Sequence, residues 1–207
     1  MCIRDSSSTA LTGVVGALYE PLFYMNNLKD DPTKLEPLMG KSYTISDDAK
    51  TIDVTIRDGE KWSDGEPYTA EDVAYTFNLL NSNKALNTGG FAGSAKALSD
   101  TEVRITLDNS ESVNALSYLS GTMIVPKHVW EKIDDPVTYT NKDAVGSGPF
   151  TVKGGNFSPT AYTFKKNPYY WDEGKPEIDG VRYVLITGGT QASQNALTAG
   201  DVDWMSA

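Results

Sequence analysis

Residues 51–77 constrain the fold more than any other part of the chain, because they encode a strand, two turns and a capped helix in succession. Residues 51–56 alternate polar and apolar side chains, which is the period of a half-buried strand. Two Asp-Gly pairs, at 58–59 and 64–65, then turn the chain. The pattern predicts a hairpin between this strand and a second one at residues 42–45.

The next helix has both its start and its buried face marked in the sequence. Thr69 and Asp72 have the spacing of a capping box, in which the two residues bond each other's backbone at a helix N-terminus. Apolar residues then recur at helical spacing, so one face is predicted to pack against the hairpin. These apolar residues are Ala70, Val73, Ala74, Phe77 and Leu80.

The rest of the chain predicts helices and strands in a mixed α/β order. The predicted helices lie at 12–22, 113–119, 126–133 and 191–199, and the predicted strands at 103–107, 162–164 and 181–186. Pro21 is expected to end or kink the first of these helices. Polar or Gly-rich segments at 26–41, 81–93 and 136–143 are predicted to be connections.

The composition is that of an ordinary globular protein. The chain has 207 residues, of which 39% are hydrophobic and 22% charged, so it could form one sizeable domain or two small ones. No apolar run approaches the roughly 18 residues of a membrane span. A net charge of -10 argues against nucleic acid as a partner, because phosphate binding depends on clustered Lys and Arg.

No motif in the chain supports catalysis, a cofactor or a metal. His128 is the only histidine, which favours a hydrogen-bonding or surface role over a catalytic one. Val145 stands two positions before Ser147, where a Gly-x-Ser-x-Gly nucleophile elbow would need glycine, and Leu35 stands where a phosphate-binding loop would need glycine. The acidic pairs at 47–48 and 134–135 lack the spacing of a calcium site.

Aromatic residues are the more useful chemical signal. The chain has 11 Tyr, 6 Phe and 4 Trp, whose flat apolar faces and polar edges suit peptide side chains or sugar rings. Most aromatic residues are expected in the core, and we predict a packing role for Trp62 and Trp171. Trp204, near the end of the chain, is a candidate for contact with a ligand.

Several segments together resemble the family 5 extracytoplasmic solute-binding proteins of ABC importers. Six segments stand in the order that this family has, and together they extend over residues 9 to 207. They are 19–23 (Tyr-Glu-Pro-Leu-Phe), 57–77, 125–130 (Val-Pro-Lys-His-Val-Trp), 146–150 (Gly-Ser-Gly-Pro-Phe), 166–171 (Lys-Asn-Pro-Tyr-Tyr-Trp) and 199–203 (Ala-Gly-Asp-Val-Asp). Each motif alone is weak, but six in order carry the resemblance.

This resemblance implies an α/β fold, namely a periplasmic-binding-protein-like lobe of type II, cluster C, with an inserted α+β subdomain. Residues 9–40 and 144–207 would form the lobe, and 41–143 the inserted subdomain. The second lobe would be missing, so we expect an N-terminal fragment. Residues 1–8 lack the features of a signal peptide and are expected to be non-native.

By the same resemblance, the chain is identified as the substrate-binding component of an ABC transporter and not as an enzyme. It would capture oligopeptides outside the cytoplasm, in the periplasm or lipid-anchored at the outer face of the membrane, and deliver them to membrane permease subunits. We expect a monomer without cofactor or metal. The ligand-binding residues implied are Leu11, Thr12, Tyr19, Gly148 and Trp204.

Other functions remain open at this stage. A short oligosaccharide is the first alternative ligand, because residues 10–13 and 202–204 resemble sugar-binding members of the family. A nickel chelate is the next alternative, although no His/Cys cluster supports direct metal ligation. From other classes, a secreted hydrolase would need a nucleophile or paired carboxylates in the missing half of the protein. A sensor subunit would be distinguished by neighbouring genes that encode a kinase and not permeases.

Overall fold

The computed structural model of the chain describes residues 16–205, apart from 32, 111 and 159. In this part of the chain the strands are β1 (Phe23–Tyr24), β2 (Glu36–Pro37), β3 (Gly40–Ile45), β4 (Thr51–Ile56), β5 (Gly93–Ala97), β6 (Glu102–Leu107), β7 (Phe150–Phe157), β8 (Ala161–Lys166) and β9 (Gly180–Val184). The helices are α1 (Ala70–Ser82), α2 (Ser112–Gly121), α3 (Lys127–Trp130) and α4 (Gly189–Ala199).

Besides the short antiparallel pair of β1 and β2, the described residues form a larger and a smaller sheet. The larger sheet has the antiparallel strand order β3-β4-β6-β5. Ile52 and Val54 of β4 lie opposite Ile105 and Val103 of β6, and all four side chains are buried. Helix α1 packs against β5 and β6 and covers this face, where it closes the main hydrophobic core. The predicted hairpin and the predicted strand at 103–107 are therefore confirmed.

Helix α1 begins where the capping box predicts. The backbone N–H of Thr69 donates to Oδ2 of Asp72 at 2.8 Å, and the helix starts at Ala70. Val73 and Phe77 on its inner face are fully buried. Burial of a side chain of this size stabilises a fold by about 1.5–3 kcal/mol, so this helix face anchors the core of the larger sheet.

The smaller sheet has the antiparallel order β7-β8-β9 and belongs to a second apolar cluster. This cluster joins Phe150 and Phe164 of the sheet to Leu18, Tyr19 and Trp130. The register between β7 and β8 shifts after the Thr151 pair, and Gly154 in this bulge has a φ of 74°, a conformation that favours glycine. The predicted strand at 162–164 is confirmed as part of β8, and the one at 181–186 is confirmed as far as Val184, where β9 ends.

The predicted helix at 12–22 is wrong in its described part, and residues 11–15 lie outside the described residues. Residues 16–18 form a turn, and the chain is then extended up to β1. The reason is that the carbonyls of Ala17 and Leu18 accept hydrogen bonds from the distant Phe150 and Gly148 N–H groups instead of from a helical turn. Pro21 also has no N–H to donate.

Other differences from the predictions are two strands that were not predicted and the bounds of one helix. Strands β5 and β7 were not predicted, because their Gly, Ser and Lys content resembles that of a loop. The predicted helix at 126–133 is shorter, as α3, whereas α2 and α4 match their predictions closely. None of the helices in the described residues has the length and apolarity needed to cross a membrane.

Candidate functional site

The Gly-Ser-Gly-Pro turn at 146–149 lies directly against the segment that leads to β1. The N–H of Gly148 donates to the carbonyl of Leu18 at 2.9 Å, and the N–H of Phe150 donates to the carbonyl of Ala17 at 2.9 Å. The N–H of Glu20 lies 3.4 Å from Oγ of Ser147. Two segments that are more than 120 residues apart in sequence are thus held together mainly through their backbones.

Both glycines of this turn are required by the close approach of the two backbones. A Cβ atom at Gly146 would lie 1.8 Å from the carbonyl oxygen of Leu18, and one at Gly148 would lie 2.6 Å from that of Ala17. Any side chain would therefore force the backbones apart. Gly148, which the family resemblance places among the ligand contacts, has a structural role at this position in addition to any contact it makes.

Glu20 is a buried carboxylate that joins a third segment to the turn. Its side chain accepts hydrogen bonds from the Tyr170 hydroxyl at 2.7 Å and from Nε1 of Trp171 at 2.9 Å. Burial raises the pKa of Glu20 above its ordinary value, while the bonds from Trp171 and Tyr170 act in the opposite direction. The guanidinium of Arg57 lies 4.0 Å from the ring centroid of Trp171, which adds a cation–π contact.

Asn167 and Ser63 complete this arrangement. Nδ2 of Asn167 donates to the carbonyl of Gly148 at 2.9 Å, and its backbone N–H donates to the carbonyl of Pro149 at 2.9 Å. Ser63 exchanges two bonds with Gly146, one from its own N–H to the carbonyl and one from the N–H of Gly146 to its Oγ. We call Glu20, Ser63, Gly146, Gly148 and Asn167 the motif hub, because they join four of the six sequence motifs.

Tyr19 faces the interior. Its side chain is buried in the second apolar cluster, and its hydroxyl accepts a hydrogen bond from Nδ2 of Asn141 at 2.9 Å. Burial raises the pKa of the Tyr19 hydroxyl, which keeps it neutral. Tyr19 can therefore support the surface of the lobe, but its side chain does not reach solvent in this structure.

Trp204 is placed very differently from Tyr19. Its side chain is 68% exposed, and it follows α4 near the end of the described chain. It is the one residue of the predicted ligand set whose side chain is described and open to solvent. Leu11 and Thr12, the remaining two, lie outside the described residues. The described members of the set are thus divided between the motif hub, the apolar interior and an exposed end.

Trp204 belongs to a longer stretch of the chain in which no described residue is buried. Among the described residues from 168 to 205, which we call the open segment, none is buried, and helix α4 has no buried residue. Its exposed large apolar side chains are Tyr169, Ile178, Val184, Leu185, Leu197 and Trp204. These side chains are available for contact with a ligand or with other protein.

A separate cavity of about 320 Å³ lies between the start of α1 and α3. Its lining residues are Glu66, Pro67, Thr69, Glu71, Asp72, Lys127, His128 and Glu131. Asp72 is occupied by bonds from Thr69, Lys127 and Trp62, and burial raises its pKa. Nε2 of His128 lies 2.8 Å from Oδ2 of Asp64, which agrees with the hydrogen-bonding role predicted for this histidine.

Within the described residues, no group of three or more His, Cys, Asp or Glu side chains could hold a metal ion. The packing roles predicted for Trp62 and Trp171 are confirmed. Trp62 is fully buried, and Trp171 packs against the main core and also donates a hydrogen bond to Glu20. Sequence reasoning did not identify the motif hub. The only available signal was a glutamate and an asparagine inside otherwise apolar or turn-forming motifs.

Comparisons with known proteins agree with these features. The model of the bacterial extracellular solute-binding proteins, family 5, matches residues 34–207. The oligopeptide-binding protein OppA of Bacillus subtilis is 29% identical over 214 residues, which cover 93% of this chain and 38% of that protein. The chain spans less than half the length of the curated relatives it matches.

Two solved structures also resemble this chain over less than half of their own length. The substrate-binding protein CtaP of Listeria monocytogenes has a TM-score of 0.81 and 29% identity, and the match covers 95% of this chain and 40% of that one. A periplasmic oligopeptide-binding protein of Thermotoga maritima, solved with bound mannohexaose, has a TM-score of 0.80 and 26% identity. That match covers 92% of this chain and 36% of the other.

Proposed function

Because the chain belongs to the family 5 bacterial extracellular solute-binding proteins, we propose that it provides the first lobe of a receptor that captures oligopeptides for an ABC importer. The observation that carries this proposal is the family match over residues 34–207, a range that includes both sheets and all but one of the motifs. The open segment also supports the proposal, because its exposed apolar side chains can contact a ligand and further protein.

In this proposal the protein binds and releases its ligand without making or breaking a bond. Residues 9–40 and 144–207 form the first lobe, and residues 41–143 form the inserted subdomain. A second lobe closes over the ligand, and the closed state is stabilised by the ligand's contacts with both lobes. A membrane permease then recognises that state. The receptor acts as a monomer outside the cytoplasm, in the periplasm or anchored by lipid.

Trp204 is the ligand contact that we favour, because its exposed ring provides a flat apolar face within the open segment. Gly148 would contribute backbone, and Tyr19 would support that backbone from within. Leu11 and Thr12 remain ligand contacts proposed from the family alone. The second lobe would provide the remaining contacts.

Oligopeptides are the preferred ligand because the name of the Bacillus subtilis relative states that it binds them. An oligosaccharide is the second candidate, since the Thermotoga maritima neighbour was solved with mannohexaose. An exposed tryptophan suits both ligands, because it can stack on a sugar ring or pack against an apolar side chain.

The test uses the protein encoded by the complete reading frame that contains these residues. Di- to hexapeptides and cello-, xylo- and manno-oligosaccharides are screened by thermal shift, and binders are measured by calorimetry. We expect peptides to stabilise the protein and Trp204→Ala to weaken their binding at least tenfold. Leu98→Ala, which removes an exposed side chain from the inserted subdomain, is the matched control and should bind normally.

Each other outcome changes the proposal in a defined way. Stabilisation by oligosaccharides alone would replace the peptide by a sugar, and hydrolysis of any ligand would contradict a binding function. Equal affinity in the Trp204→Ala and Leu98→Ala variants would remove Trp204 from the site. Residues 1–207 alone should bind weakly or not at all, because the second lobe's contacts are absent from them.

A further inference from the structure

The smaller sheet has an unusual charge for this protein. Strands β7, β8 and β9 and helix α4 contain no Asp or Glu, although the whole chain has a net charge of -10. The charged residues of these four elements are Lys153, Lys165, Lys166 and Arg182. A purely cationic sheet in an acidic protein indicates a local function for the positive charge.

Register places Lys165 and Arg182 on one face of the sheet and Lys166 on the other, because successive side chains of a strand alternate. Thr163 lies opposite Arg182, and Lys165 lies opposite Gly180, so Lys165 and Arg182 are diagonal neighbours on one face. The bulge of β7 approaches the same place, because a Cβ atom at Gly154 would lie 4.0 Å from Cγ of Lys165. Lys153 is the residue before that glycine.

The cations on this face are exposed, and no ion pair with them occurs among the described residues. Some cations elsewhere in the described chain are neutralised by ion pairs, whereas others, such as Lys41 and Lys84, are exposed without one. Arg104 pairs with Asp53 across two strands, and Lys127 pairs with Glu71. We call Lys153, Lys165 and Arg182 the basic face, because they form an exposed cationic surface without internal partners.

We propose that the basic face is a docking surface for a carboxylate-bearing segment of a partner protein. This inference rests on the proposed function, under which the partner is the extracytoplasmic surface of the membrane permease. Complementary charge at such an interface speeds association and fixes orientation. Three cations are fewer than the cluster of about four to eight that anionic lipid recognition uses, so a protein partner fits the surface better than a membrane.

The experiment compares two double variants of the complete receptor with equal change in net charge. Lys165→Glu with Arg182→Glu reverses the basic face, and Lys41→Glu with Lys84→Glu reverses two exposed lysines of the inserted subdomain. Stimulation of the ATPase is measured in nanodiscs that contain the permease, as a function of receptor concentration. Ligand affinity of each receptor is measured separately by calorimetry.

We expect reversal of the basic face to raise the half-saturating receptor concentration at least tenfold, while ligand affinity changes less than twofold. The control double should change neither quantity more than twofold. Raising the salt concentration from 50 to 300 mM should weaken wild-type docking and reduce the difference between the variants, because exposed charges are screened. If the reversal variant is misfolded by thermal melting, Lys165→Gln with Arg182→Gln takes its place.

Equal half-saturating concentrations for the two double variants would overturn the proposal. So would sedimentation with anionic vesicles that depends on the basic face while ATPase stimulation does not. Failure of the proposed function gives a different result, because the wild-type receptor would then bind no solute or stimulate no permease.

Discussion

The larger and the smaller sheet of the molecule differ in what covers them. The larger sheet has one face closed by α1 around residues such as Ile52 and Ile105, and its other face carries a cross-strand pair, Asp53 with Arg104. The smaller sheet is followed by a segment without a single buried residue among those described, and its exposed cations have no ion pairs there. The larger sheet thus has a closed core on one face, whereas none of the described residues after the smaller sheet is buried.

This difference indicates how the two regions serve the proposed function. A subdomain with a closed core can hold its shape regardless of ligand, whereas open apolar and cationic surfaces can bind partners and respond to them. The motif hub lies where the two regions meet, because Ser63 comes from the first and Asn167 from the second. Most family motifs therefore hold the regions together, and Trp204 remains the exposed candidate for ligand.

The largest expected effect is on the free energy of unfolding, when a side chain is removed from the main hydrophobic core. Phe77→Ala should lower the free energy of unfolding by about 3–5 kcal/mol, because a fully buried aromatic ring is replaced by a cavity. Leu197→Ala removes a half-exposed side chain of the open segment and should cost less than about 0.5 kcal/mol in residues 1–207. Urea denaturation measures both. Equal losses would contradict the contrast between the two regions.

The second effect concerns the junction between the regions. Glu20→Ala leaves the Tyr170 hydroxyl and Nε1 of Trp171 without their acceptor, which should cost about 2–4 kcal/mol of stability. The matched control is Glu173→Ala, since Glu173 is exposed and close in sequence to the same motif. It should leave the denaturation midpoint unchanged. A neutral Glu20→Ala would show that the hub does not hold the regions together.

The pH dependence of the junction follows from the raised pKa of Glu20. The folded state holds this proton more tightly than the unfolded state, so stability falls as pH rises from the ordinary carboxyl range through the raised pKa. Denaturation of the wild type and of Glu20→Gln is compared across this range. The wild type should lose stability relative to the variant as pH rises, and a constant difference would refute the assignment.

The smallest effect tests the charges of the two sheets. Arg104→Ala should cause a small loss of stability that disappears at high salt, because it breaks an exposed bidentate pair with Asp53. Lys165→Ala should cause no loss at any salt concentration, since Lys165 has no ion pair in the described chain. Thermal melting at low and high salt measures the difference. A salt-dependent loss in Lys165→Ala would reveal a partner within the chain.

Local sequence patterns predicted β4 of the larger sheet and helix α1 well. The alternation in β4 and the capping box of α1 depend on neighbouring residues, so the sequence contains their determinants. Strands β5 and β7 escaped prediction because pairing with β6 and β8, and not their own Gly- and Lys-containing sequences, makes them extended. Sequence reasoning also predicted a helix before β1, where distant N–H groups occupy the carbonyls that a helix would use.

The candidate site was less predictable, because its contacts join residues far apart in sequence. Glu20 meets Tyr170 and Trp171 about 150 positions away, and no local periodicity records such a contact. The family resemblance identified motifs that meet in the structure, and the ligand-binding roles that it implies for Tyr19, Gly148 and Trp204 stay predictions. Tyr19 proved to be buried and Gly148 to be held by backbone contacts, whereas Trp204 is exposed.

Hydrogen–deuterium exchange tests the contrast between the regions most directly. Exchange is compared between residues 1–207 and the protein from the complete reading frame, with and without ligand. We expect α1 and β4 to be equally protected in every sample, and α4 and β9 to become protected only in the complete protein, most strongly with ligand bound. Equal protection of α4 in residues 1–207 and in the complete protein would contradict the account.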